Sequence, residues 1–163
     1  MATLIPQTDS MFTPFEPKVQ NRFILRDSGG IPAYIVKKIN RPTMECGEVV
    51  LNHINVQQKF KGICKWGDIT MTLYDPIVQS GAQKVMEWVR TAHESVTGRD
   101  GYAQFYKHNL TVDVLGPVGD EVERWTLWGA WIKTSNFGDM DWATEGQIEI
   151  QLTLAIDYAV LEY

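Results

Sequence analysis

The chain has 163 residues and a formal net charge of −5. That length suits one domain with a sizeable core, and the acidic balance argues against a nucleic-acid binder, which would need a basic surface to meet phosphates. No run of about 18 apolar residues exists, so no membrane-spanning helix is expected.

The N-terminus carries no basic region followed by an apolar core, so no secretory leader is read there. The compartment expected is the cytosol, or a particle assembled in it. Cys46 and Cys64 stand apart, neither in a Cys-x-x-Cys pair, and read as two reduced core or boundary residues. Six Trp, six Tyr and six Phe give the aromatic supply common in β-rich cores and subunit interfaces.

In chain order, residues 1–19 contain Pro6, Pro14 and Pro17 with little periodicity and read as an extended arm. Phe12 and Phe15 are placed to anchor that arm on a neighbour. Arg22 to Arg26 reads as a short strand, Asp27-Ser28-Gly29-Gly30 as a turn, and Tyr34 to Ile39 as a second strand. Glu48 to Val56 is expected to be a strand and Gln57 to Lys61 a polar loop. Gly67 to Asp75 alternates Ile69, Met71 and Leu73 with polar residues and reads as a strand.

The period then changes. Val78, Ala82, Val85, Met86 and Val89 fall at helical spacing, which predicts an amphipathic helix over about Ile77 to Glu94. Asp75 is suited to cap it and Pro76 to open it. Ala103 to Tyr106 and Leu110 to Leu115 then read as a hairpin, and Val122 to Lys133 as a long strand. On that strand Trp125, Leu127, Gly129 and Trp131 share one face. Asn136 to Thr144 is an acidic, aromatic loop.

Gln147 to Tyr158 alternates strictly. Ile148, Ile150, Leu152, Leu154, Ile156 and Tyr158 occupy one face; Gln147, Glu149, Gln151, Thr153, Ala155 and Asp157 occupy the other. This predicts one strand about twice the usual length, its apolar face buried throughout with Leu152 and Leu154 at the centre. The wet face suits an ordinary solvated antiparallel sheet or the wall of a channel. The sum is a mainly β domain over residues 20–163, with six to eight strands and one helix.

No catalytic constellation emerges. His53, His93 and His108 have no ligand spacing with one another or with the cysteines, and Asp139 and Asp141 read as a solvated turn. Ser28 and Ser80 lack a nucleophile-elbow context, and Gly29-Gly30 lacks phosphate-loop spacing. No enzyme, metal or cofactor is expected.

Three stretches in this order resemble the tail tube proteins of contractile-tailed bacteriophages, within the superfamily that includes the type six secretion tube. They are Trp66 to Tyr74 running into Ala82 to Trp88, Trp125 to Trp131 followed by Gly138 to Trp142, and Gln151 to Tyr158. The arm and the Ala159 to Tyr163 tail depart from the pattern. The resemblance implies a two-sheet antiparallel β-sandwich or barrel with one flanking helix. It also implies hexameric rings that share an inner barrel and stack into a tube within a sheath.

The role implied is that of a structural protein of the virion, assembled in the host cytoplasm. Its expected partners are its own copies, the sheath, the baseplate tube-initiator, the tape-measure protein and the tail terminator. DNA only transits the lumen, and no stable membrane association is expected. Gln147, Glu149, Gln151, Thr153, Thr70 and Thr72 are the expected lumen-facing residues, forming a neutral to acidic wall without Lys or Arg. Phe12, Phe15 and Trp142 are the expected inter-subunit contacts. The alternatives are a tube-initiator or secretion-tube protein of the same fold, and a β-barrel ligand-binding or enzymatic domain.

Overall fold

The computed structural model describes residues 15–26, 29–78 and 80–163. The fold is mainly β and antiparallel throughout its strand pairings. Its strands are β1 (Phe23–Arg26), β2 (Val36–Ile39), β3 (Met44–His53), β4 (Val56–Trp66), β5 (Ile69–Tyr74), β6 (His108–Leu115), β7 (Glu121–Asn136), β8 (Glu149–Ala155) and β9 (Tyr158–Leu161). The helices are α1 (Gly81–Ala92) and the short α2 (Ala103–Tyr106), with a 3-10 turn at Ala33–Ile35.

Seven strands form one sheet in the order β1-β6-β7-β8-β5-β2, with β9 also pairing β7. The sheet has two halves that share β7. In the first, the N-terminal part of β7 lies between β6 and β9. In the second, its C-terminal part pairs β8, followed outward by β5 and β2. The inner faces of the two halves meet in one core. Leu25, Leu110, Val112 and Leu127 come from the first half, and Ile69, Met71, Leu73, Ile150, Leu152 and Leu154 from the second. Helix α1 adds Val85 and Trp88 to the same core.

The change of half occurs at Gly129. Up to that point the odd positions of β7 face inward; beyond it Ala130 and Ile132 do. A strict strand cannot change faces, so one residue must break the period. Gly129 does so at φ 63°, where a Cβ would stand 2.1 Å from an Asp157 carboxylate oxygen. The segment running opposite β7 breaks at the same place, at Ile156-Asp157 between β8 and β9, and the Asp157 N–H donates to the Trp128 carbonyl.

Several sequence expectations are corrected here. The alternating run Gln147 to Tyr158 is two strands with a corner, so burial does not extend along it. Ile150, Leu152 and Leu154 are buried, Ile148 is 39% exposed, and Tyr158 lies outside, stacked on Trp128. The Ala159 to Tyr163 tail contributes the edge strand β9, which pairs with β7. Ala103 to Tyr106 forms α2 rather than a strand. The indole N–H of Trp88 donates to the Tyr106 carbonyl at 2.7 Å, tying α2 to α1. Helix α1 begins at Gly81 rather than Ile77. Asp75 still serves its N-terminus, accepting from the Ala82 N–H at 3.3 Å and the Ser80 hydroxyl at 3.2 Å. Gln57 to Lys61 lies within β4 rather than in a loop.

Leu152→Ala is expected to lower unfolding free energy in urea titrations by about 2–5 kcal/mol. Ile148→Ala, at the half-exposed start of the run, should leave the midpoint close to wild type.

Candidate assembly surfaces

The outer face of the β2-β5-β8-β7 half is polar, and strand register aligns it in transverse rows. Thr70 pairs with Thr153, which pairs in turn with Thr134 on β7. Thr72 lies between Lys38 and Gln151, and Gln151 faces Asn136. Tyr74 faces Glu149. The structure therefore brings together Thr70, Thr72, Glu149, Gln151 and Thr153, five of the residues singled out from sequence. Gln147 precedes β8 and lies in the connecting segment.

The expectation of a face without Lys or Arg is corrected. Edge strand β2 carries an irregularity between Val36 and Lys38, and both lysines join the face. Lys37 donates to the Glu149 carboxylate and lies 5.5 Å from the Tyr74 ring centroid. That hydrogen bond raises the Lys37 pKa against the opposing effect of burial. Lys133 is likewise held by Asp68 at 2.7 Å. Two of the added cations are thus paired with carboxylates.

The second surface is the β3–β4 hairpin. It prolongs the β2–β5 pair outward, joined to it by the Gly67 N–H donating to the Thr43 carbonyl at 2.8 Å. It forms a sheet of its own. Its register sorts its side chains. Val49 faces Phe60, Leu51 faces Gln58 and His53 faces Val56, giving one largely apolar face. Glu48 faces Lys61, Val50 faces Lys59 and Asn52 faces Gln57, giving a polar one. Val49, Leu51, Val56 and Phe60 are all exposed. At the tip Ile54 is fully exposed with φ 47°, a rare conformation for a β-branched residue but one that a primed hairpin turn requires.

Sequence reasoning missed this hairpin because Ile54-Asn55 is not a common turn pair. The polar Gln57-Gln58-Lys59 run also looks like a loop when read alone. The pairing of Val49 with Phe60 and His53 with Val56 about a two-residue centre was the available signal. The hairpin also corrects the reading of the cysteines: Cys46 lies opposite Cys64, and the two form a disulfide.

Two ion clusters fix the first half of the sheet. Asp113, wholly buried on β6, accepts from Arg124 at 2.8 Å and Arg26 at 3.0 Å. Glu121 receives Arg26 at 2.6 Å, Arg124 and the Tyr163 hydroxyl. The Tyr163 hydrogen bond is the main reason the Glu121 carboxyl lies below its ordinary range, against a smaller upward push from burial. Its bond to Asp113 holds the Arg124 guanidinium more firmly protonated than usual. The second cluster centres on Glu123, which is buried and accepts from Lys18, the Trp125 indole N–H and Arg41 at 3.4 Å. Burial raises the Glu123 pKa, but these donors outweigh it and leave the carboxyl below its usual value. Lys18, Lys37, Lys38 and Arg41 line the groove between the edge strands β1 and β2.

Of the expected inter-subunit residues, Phe12 lies outside the described residues. Phe15 is 81% exposed in an irregular segment. Trp142 is fully exposed in the segment between β7 and β8, beside an Asp141 turn closed by the Ala143 N–H at 3.0 Å. His93 contacts Asp100, and His108 packs edge-on against Trp88. Among the described residues no three His, Cys, Asp or Glu side chains gather as a metal site.

The fold is similar to that of chains solved within contractile injection assemblies. A chain from the tube-terminating cap of the anti-feeding prophage has a TM-score of 0.74 at 14% identity, over 93% of this chain and 94% of that one. A chain from the sheath/tube terminator of PVC, an extracellular contractile injection system, gives 0.74 at 14% identity, over 93% and 100%. A chain from the PVC sheath–tube complex gives 0.65 at 14%, over 96% and 97%. At these identities the likeness is one of fold. No family model and no curated protein sequence matches the chain.

The carboxylates Glu121 and Glu123 both have depressed pKa values, so their stabilisation is complete above the ordinary value of 4.5 and is lost as pH falls through the lowered ones. Urea midpoints should therefore be flat between about pH 5 and 7 and decline below about pH 4.5. Glu121→Gln should reduce that acid slope, and an unchanged slope would dissociate Glu121 from acid stability.

Proposed function

We propose that this chain is a non-enzymatic structural subunit of the inner tube of a contractile tail, six copies closing into a ring and rings stacking into a tube. The observation that carries this reading is the amphipathic β3–β4 hairpin. An isolated two-stranded hairpin is marginal in water, and this one leaves Val49, Leu51, Val56 and Phe60 uncovered. Another copy of the chain covers that face economically, because repetition also gives the sheet edges β1 and β2 a neighbour. The fold shared with chains of tube, cap and terminator assemblies supports the same conclusion.

In this reading the outer face of the β2-β5-β8-β7 half lines the lumen. Its Thr, Gln and Asn rows offer water-facing groups, and Glu149 offsets Lys37. A polyanion then meets fewer of the salt-dependent contacts than it would if Lys37 and Lys133 lacked their carboxylates. The hairpin, prolonging that half outward, reaches a neighbouring subunit. The arm 1–19 with Phe12 and Phe15, and the loop bearing Trp142, add contacts between subunits built on the 20–163 domain. The finer reading is the tail tube of a bacteriophage, assembled in the host cytoplasm and bounded by sheath, tape-measure, baseplate initiator and terminator, with the genome passing through it. A second reading, a subunit at the tube end, is favoured by the higher TM-scores with the cap and terminator chains.

Concentrated protein is expected to give rings and tubes in electron micrographs and fast-sedimenting species in ultracentrifugation. Single rings that never elongate would favour the tube-end reading, and monomers at every concentration would overturn both.

Glu149→Lys leaves Lys37 without its carboxylate and adds six cations to the lumen of a hexamer. Assembly should persist, since the residue is half-exposed. Genome delivery should slow or stall. Glu149 pointing away from the axis in a structure of the assembled tube would refute the lumen assignment. Unaltered infectivity of the variant would refute the electrostatic argument.

A further inference from the structure

We propose that Cys46 and Cys64 form a redox-set clasp that fixes the register, and hence the exposed apolar face, of the β3–β4 hairpin. The need for a clasp follows from how the hairpin is built. Its β3–β4 ladder is separate from the seven-stranded sheet, so only the two-residue turn at its tip and the cross-strand contacts along the hairpin keep its strands in register. The ladder is regular from Glu48↔Lys61 to His53↔Val56 but shifts between Cys46 and Glu48. Two glycines meet at that shift. A Cβ on Gly62 would stand 3.0 Å from the Gly47 carbonyl carbon, so neither strand has a side chain there to hold the other.

A slip of one residue at this point would exchange the faces of one strand along the outer hairpin and break up the Val49, Leu51, Val56 and Phe60 surface. The bond lies beside the weak point, on the side nearer the domain, where Met44↔Trp66, Glu45↔Lys65 and Cys46↔Cys64 are in register. It closes the hairpin loop covalently and removes the slipped and open forms from the accessible ensemble.

The clasp is open to solution chemistry. Cys46 is exposed and Cys64 half-buried, so small thiols and disulfides reach both. In a reducing compartment the pair is a dithiol and the hairpin is free to open. In an oxidising medium a low-molecular-weight disulfide closes it. One cysteine thiolate attacks that disulfide and releases one small thiol. The second cysteine then displaces the other small thiol from the mixed disulfide. Two electrons and two protons leave the protein with the two thiols, and one Sγ–Sγ bond is formed. Tightening of assembled rings by the clasp rests on the tube reading; the clasp itself does not.

The test uses the full chain at a concentration where it is dispersed. One sample is incubated with dithiothreitol, the other with glutathione disulfide. Peptide mass spectrometry of the second sample should show Cys46 linked to Cys64. Amide exchange across residues 48–61 should then be slower in the oxidised protein by about tenfold or more, while exchange in β6 and β7 stays the same. The Cys46→Ser/Cys64→Ser double variant should exchange like the reduced protein under both conditions. Absence of the linkage, or equal hairpin exchange in the two forms, overturns the proposal without bearing on whether the protein forms tubes. Where tubes do form, oxidised wild type should need more urea to dissociate than reduced, and the double variant should show no such difference. Equal dissociation of the oxidised and reduced tubes would overturn the tightening.

Discussion

The corner at Gly129 is the constraint on which the rest of the molecule depends. One strand serves both halves of the sheet, and its inward side chains must change parity on the way. Gly129 makes the change at positive φ, and the opposite chain answers with the break at Ile156-Asp157. Leu127, in the first half, and Leu154, in the second, thereby reach one core. A regular pair of long strands at this place would direct half of these side chains to water. An added methyl at Gly129 would meet the Asp157 carboxylate, and positive φ would strain any replacement at a cost of about 1–3 kcal/mol.

The polar face and the hairpin are consequences of the same frame. β5 and β8 are held in direct register, which turns two separate Thr and Gln alternations into aligned rows. β2 then borders β5, and the chain leaving β2 and returning to β5 becomes the hairpin. One half of the sheet thus supplies both a wide polar wall and an amphipathic extension of its edge. The other half is fastened from outside by charges, with Asp113 enclosed by Arg26 and Arg124.

Much of this was legible in the sequence because burial writes a period. Ile69-Met71-Leu73 and Ile150-Leu152-Leu154 alternate because each strand has one dry face, and α1 shows its apolar stripe for the same reason. The polar positions beside them could be assigned to one surface without coordinates. The corner was not legible, since Gly129 and Asp157 keep the alternation intact on paper while the chain turns. The hairpin was obscure for the opposite reason. Both its faces meet solvent in the single chain, so no burial pattern marked Gln57 to Lys61 as strand. Lys37 and Lys38 entered the polar face only through the pairing of β2 with β5, a long-range choice that local pattern does not encode. The cysteine pair was hidden with the hairpin that aligns it.

The separation of β5 from β8 along the chain bears on how the protein is made. The β3–β4 and β6–β7 hairpins join neighbouring segments and can form as they emerge from the ribosome. The edge of β5 away from β2, by contrast, waits for β8, which follows β7 in the chain. Until β8 follows, β5 has only β2 beside it in the sheet. A nascent chain therefore cannot complete the polar wall before β8 emerges, and it exposes the second edge of β5 in the meantime. Chaperone demand should be greatest in the interval between the emergence of β5 and that of β8.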